Sequence, residues 1–256
     1  MTSDRSVVPY SITIFSIVCL LLATPAFGST LSGHMEKVTA VSETGQKVSA
    51  WAKLDANKSV IEAGVTIPSE IIEKPPNHQG RGPAGAIVIV PFPEIVRAST
   101  FLNHFEMNWE RHGHEPSVFM IPHFDFHFYN VPTTEVRKVT ERDSLQPEAK
   151  LIPAGYIYPG PEYSVPQMGV HAFRPADLER PFTDVLILGY YGGKMTFIEP
   201  MVTRKRMLEK KDIAYDIPVS GLLGTSTRFP TKVDIRYDSK SNAYHLIFSG
   251  FITTAQ

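Results

Sequence analysis

The segment Pro122-His123-Phe124-Asp125-Phe126-His127-Phe128-Tyr129 alternates polar and aromatic residues without a break. Successive side chains of a β-strand point to opposite faces, so Phe124, Phe126 and Phe128 share one face and His123, Asp125, His127 and Tyr129 the other. One side of such a strand belongs in an aromatic core. The other carries imidazole, carboxylate and phenol at two-residue spacing, which makes it a candidate site.

From residue 36 onward, short apolar segments are punctuated by Gly, Pro and Asn, a pattern that predicts a mainly β fold: an antiparallel barrel or sandwich with one or two short helices. Strands are expected at 37–41, 47–54, 59–67, 86–92, 103–109, 122–130, 183–190, 194–199, 231–237 and 243–252. Gly192-Gly193 suits a tight hairpin between two of these, and Asp238-Ser239-Lys240-Ser241-Asn242 is turn chemistry joining the last two. The Pro- and Gly-rich stretches 73–85 and 145–168 are expected to be loops. A helix is expected over 201–211, where Arg204, Lys205, Arg206, Lys210 and Lys211 form a solvated face, and a helical turn near 175–180.

Residues 11–22 form an apolar run too short to cross a bilayer, followed by small residues at Ala26 and Gly28. This predicts a signal peptide over 1–28, with an uncleaved N-terminal anchor as the alternative, and a single β-rich domain over 29–256, exported to the periplasm or secreted. The one cysteine, Cys19, falls inside the leader, so disulfides, thiolate metal sites and cysteine nucleophiles are excluded from the mature chain. A net charge of −1, with one basic cluster interrupted by Glu209 and Asp212, argues against a nucleic-acid footprint. No membrane association is expected after cleavage.

Five of the nine histidines, His104, His112, His114, His123 and His127, cluster in one short stretch. Strand residues two apart are separated by about 6.6 Å and those four apart by about 13 Å, against metal–ligand distances of about 2 Å. His123 and His127 are therefore not expected to share one ion. Each needs ligands from elsewhere, and His114, His171 and Glu199 are the candidates. A set of His114, His123, His127, His171 and Glu199 without thiolates suits a divalent ion of zinc, manganese, iron or nickel. Asp125 binds an ion together with His123 or with His127, holds one of them in a hydrogen-bonded ladder with no ion, or orients a ligating histidine. With an ion, Asp125 or Glu115 is the candidate general base for hydrolysis or a lyase-type elimination of a small molecule. Serine-nucleophile, phosphate-loop and zinc-protease helix signatures are absent. The rival reading is a non-enzymatic envelope-stress or ligand-binding module.

Four ordered motifs, Gly113-His114-Glu115-Pro116, Pro122 to Tyr129, Val165 to His171 and Gly192 to Met201, resemble the DUF5602 family of exported bacterial domains of unknown function, over about residues 45–252. The resemblance places His114, His123, His127, His171 and Glu199 at the centre of the family pattern, and it implies export and a homo-oligomer. Two departures, Glu110-Arg111-His112 after Trp109 and Ala172-Phe173 after His171, leave these residues in place.

Overall fold

The computed structural model describes residues 34–78, 80–220, 223 and 226–255. The expected signal peptide lies outside the described residues. Every paired strand is antiparallel, as the short, turn-punctuated segments require. The strands are β1 (Met35–Val41), β2 (Lys47–Leu54), β3 (Val60–Pro68), β4 (Val88–Pro91), β5 (His104–Glu110), β6 (His123–Tyr129), β7 (Ser164–Val165), β8 (Gly169–Ala172), β9 (Asp184–Tyr191), β10 (Lys194–Thr203), β11 (Ile213–Asp216), β12 (Thr227–Phe229), β13 (Lys232–Asp238), β14 (Ala243–Ser249) and β15 (Ile252–Thr254). One sheet runs β1-β2-β3-β14-β13-β11, the second β4-β5-β6-β10-β9-β8-β7, and β12 pairs with β15. The fold is mainly β, with a curled half-barrel outline.

The two large sheets share one core. Val48, Ala50 and Ala52 from β2 and Leu246 and Phe248 from β14 meet Phe105, Met107, Phe124, Phe126 and Phe128 from β5 and β6. The Phe128 ring lies 4.5 Å from Phe248 and 5.0 Å from Phe105, centre to centre. The aromatic face of β6 thus supplies the hydrophobic contact between the sheets, where each buried side chain contributes about 1.5–3 kcal/mol.

All ten expected strands form, with shifted ends. The hairpin turn at Gly192 and Gly193 has φ of 64° and 75°, values that favour glycine. β7, β8, β11, β12 and β15 were not foreseen; each has four residues or fewer, too short to show a period.

The helices depart further from expectation. Among the described residues there are five short ones: α1 (Ser69–Glu73), α2 (Gly82–Gly85), α3 (Glu94–Ser99), α4 (Thr133–Val136) and α5 (Arg204–Leu208). α2 lies in the stretch 73–85 expected to hold no regular element; Pro83 sits at its start, where a missing N–H costs nothing. The helix expected over 201–211 shortens to α5, because Met201–Thr203 stay in β10 and the Thr203 hydroxyl caps the helix by accepting from Arg206 N at 3.2 Å. The turn near 175–180 is a 3-10 turn at Pro175–Asp177.

A β-bulge between Met195 and Phe197 interrupts the alternation of β10. Unbroken alternation puts Met195, Phe197 and Glu199 on one face. The extra residue switches the parity, so Met195 joins the main core while Phe197 and Met201 enter a second apolar cluster on the far side of the sheet, the side that carries Glu199.

Phe128→Ala removes the ring that joins the two sheets. It is expected to lower stability by about 3–5 kcal/mol, measurable as a shift of the urea midpoint without change of slope.

Candidate metal centre

The polar face of β6 does not face water. It pairs with a strand of the same design, since His104-Phe105-Glu106-Met107-Asn108-Trp109-Glu110 alternates in the same way. The register sets His104 opposite Tyr129, Glu106 opposite His127, Asn108 opposite Asp125 and Glu110 opposite His123. Directly opposed residues share a face, so eight polar side chains form one double row. None of the eight is more than 2 % exposed. The second apolar cluster, which includes Phe119, Phe182, Ile187, Phe197 and Met201, lies on this side of the sheet.

His114, His123 and Asp125 form the first group. His123 Nε2 lies 3.1 Å from Asp125 Oδ1 and His114 Nε2 lies 3.6 Å from Asp125 Oδ2. The other ring nitrogen of each histidine is engaged: His123 Nδ1 lies 2.6 Å from the Ile121 carbonyl and His114 Nδ1 lies 2.8 Å from that of Glu115. A carbonyl only accepts, so both Nδ1 atoms carry hydrogen and each Nε2 is left to present a lone pair or a second proton. His123 Nε2 and Asp125 Oδ1 make no hydrogen bond despite their separation. Backbone carbonyls that fix the outer nitrogens while the inner ones converge on a carboxylate are a ligand arrangement.

His127, His171 and Glu199 form the second group. Ile198 pairs with Phe128 and Met201 with Asp125, which brackets Glu199 opposite His127. His171 on β8 pairs with Gly189 on β9, and Gly189 pairs with Phe197 on β10. A side chain at position 189 would stand between them; a Cβ there would overlap the Phe197 ring. Glycine leaves room for Phe197 to pack 5.1 Å from both His127 and His171, and His171 reaches across β9 to Glu199. Glu199 Oε1 lies 3.4 Å from His127 Nε2 and Oε2 lies 3.5 Å from His171 Nε2.

In each group, one ligand atom per residue lies within 4.8 Å of the others, so each could hold a metal ion. The structure thus places His123 and His127 in different groups and Asp125 among the ligand atoms of the first. Glu115 is exposed and joins neither group, but it lines the cavity beside them.

The groups differ in charge. Burial opposes ionisation of Asp125, but His123 and His114 overcome it and hold the carboxyl well below the usual range. His114 is raised, the contacts with Asp125 outweighing its burial. In the second group burial dominates: it lowers His127 to about 3 and His171 to about 4 and raises Glu199 well above the carboxylate range, with Asp125 and Glu110 adding to the last. The contacts between His114 and Asp125 thus shift both toward their charged forms, whereas burial shifts His127, His171 and Glu199 toward their neutral forms despite their salt-bridge spacing.

Glu106, Asn108 and Glu110 on β5 were missed as site residues; the alternation of 104–110 was the available signal. Burial raises Glu106 to about 8, with Arg137 opposing, and neither carboxyl oxygen has a hydrogen-bond partner. Burial and then Asp125 raise Glu110 to about 7, while Arg81, 3.6 Å away, pulls it down. Asn108 Nδ2 donates to the carbonyls of Gly80 and Gly82, both at 3.1 Å, and so fixes the segment that carries Arg81.

A cavity of about 550 Å³ borders both groups. Arg81, His114, Glu115, Asp125 and His171 are its polar lining. No protein-family model, curated protein or solved structure matches the chain. Among the described residues, no helix is long and apolar enough to cross a membrane.

Glu106 makes the fold sensitive to alkali. Between its ordinary 4.5 and about 8 the folded chain keeps a proton that the unfolded chain releases, so stability falls as pH rises through that window. Glu106→Gln removes this loss, at about 1.4 kcal/mol per pH unit crossed. Urea unfolding at pH 5 and pH 9 is expected to show the variant gaining on the wild type at the higher pH. Equal slopes of stability against pH would refute it.

Proposed function

We propose that the protein is an exported metalloenzyme that uses a divalent ion to attack or eliminate from a small molecule, of the hydrolase or lyase type. The observation that carries the reading is the pair of His-His-carboxylate groups bordering one solvent-connected cavity. Two imidazoles and one carboxylate are the protein ligands of open catalytic zinc sites and of non-haem iron sites, which keep further positions for water and substrate. Manganese and nickel also suit the donor set.

A bound ion would polarise a carbonyl oxygen and lower the pKa of water. His114, His123 and Asp125 would hold one ion and His127, His171 and Glu199 a second. His114 and His171, the partly exposed member of each group, would face the substrate side. With Asp125 among the ligand atoms, Glu115 on the cavity wall is the better candidate for the general base. Arg81 would attract anionic or carbonyl-bearing ligands. Export and the homo-oligomer rest on the leader-like N-terminus and on the DUF5602 resemblance.

Elemental analysis of protein loaded with zinc, manganese, iron or nickel tests the reading. The expected result is two ions per chain, one per group. His123→Ala and His127→Ala are each expected to lose one. Losing a ligand should weaken that site by more than the roughly 10–100-fold typical of losing a group that only orients a ligand. Chelation should lower the melting temperature. Protein that takes up no ion and melts unchanged with or without chelator would instead favour the hydrogen-bonded ladder and the non-enzymatic module.

Proton release accompanies loading. Ligation needs Glu199 ionised and the ligating histidine nitrogens free of protons, so apparent affinity is expected to rise with pH. Titration of metal in weakly buffered solution should register protons released at both sites.

A further inference from the structure

The cavity is lined by two unlike kinds of side chain. Its polar part is small and concentrated at His114, Asp125 and His171, with Arg81 and Glu115 beside them. Apart from the exposed Tyr163, the rest of the wall is apolar, and Phe119, Phe173, Leu178, Ile187 and Met201 form part of it. These five also belong to the second apolar cluster or pack against it, so the wall is continuous with the protein interior. About 550 Å³ falls in the range of small-molecule sites, roughly 300–1,000 Å³, and is too little for a folded partner or a polymer.

Charge selects the head of the ligand. A divalent ion held by two neutral imidazoles and one carboxylate leaves positive charge unbalanced, and the Arg81 guanidinium adds to it. An oxygen with exposed lone pairs is the complement. The apolar wall in turn rewards a hydrocarbon body, because a sugar or an amino acid would leave its polar groups against phenyl and aliphatic side chains.

We propose, on the basis of the metal-centre reading above, that the site takes small amphipathic carboxylic-acid derivatives. The carbonyl faces the ion, and a medium-length acyl or an aryl group lies along Phe119, Phe173, Leu178, Ile187 and Met201. In hydrolysis, water adds its oxygen to the acyl carbon, the bond to the leaving alcohol or amine breaks, and the water proton passes to the leaving group. Arg81, fixed by the Asn108 clamp on Gly80 and Gly82, attracts the oxygen-rich end.

The test is calorimetric titration of acetohydroxamic, hexanohydroxamic and octanohydroxamic acid into the full chain, zinc-loaded and chelator-stripped, with zinc content measured in parallel. Hydroxamates keep the carbonyl head and cannot turn over as esters do. In the zinc-loaded protein, affinity is expected to rise about threefold to fourfold per methylene until the wall is covered, and to fall at least about tenfold on stripping. Leu178→Gln and Phe173→Ser, both on half-buried wall positions, should flatten the chain-length series while zinc content stays unchanged.

Equal binding of the acetyl and octanoyl compounds by zinc-loaded protein would overturn the amphipathic class and leave the metal centre standing. Octanohydroxamic acid bound equally well with and without zinc would overturn the orientation of the head on the ion. Protein that holds no zinc would overturn the metal-centre reading, and this proposal with it.

Discussion

The pairing of β5 with β6 is the constraint on which the structure depends. Two strands with the same alternation, placed in register, put six aromatic or apolar residues on one side and eight polar ones on the other. The apolar side joins the sheets into one core. The polar side is then obliged to be interior, because the second apolar cluster lies against it. Burying carboxyl and imidazole groups without full hydrogen bonding costs free energy, and such groups either neutralise or find a counter-charge.

Both outcomes occur side by side. His114 and Asp125 are each shifted toward the charged form by the other, while burial shifts His127, His171 and Glu199 toward neutrality. Glu106, deeper in the row, holds its proton near neutral pH. A divalent ion would resolve both groups in one way, by replacing shared or retained protons with a positive charge that three donors face. Histidines whose outer nitrogens are already committed to carbonyls, as His114 and His123 are, need little reorganisation for this. Convergent donor atoms next to a half-apolar cavity are the observation on which the proposed metal centre rests.

Much of this was legible in the residues. The aromatic and polar faces of 122–130 follow from the period of two, and the strand positions from turn chemistry at Gly192-Gly193 and at Asp238 to Asn242. The five candidate ligands were also legible as residue types, although their division into two groups was not. Glu106 and Glu110 show where reading one strand at a time fails: the alternation of 104–110 identifies a strand, but only its register against β6 aligns its carboxyls with His127 and His123. The bulge at Met195 to Phe197 left no mark in composition, and it changed the neighbours of Glu199.

By itself the sequence determined which faces each strand has, because side-chain direction follows from local backbone geometry. It also determined the donor chemistry, since histidine and carboxylate are present where thiolate is not. Only the tertiary structure decided which donors meet. His171 reaches Glu199 because Gly189 between them has no side chain, and His114 reaches Asp125 because a loop folds back over β6. Those are distances between segments far apart in the chain, set by pairing and packing rather than by local preference.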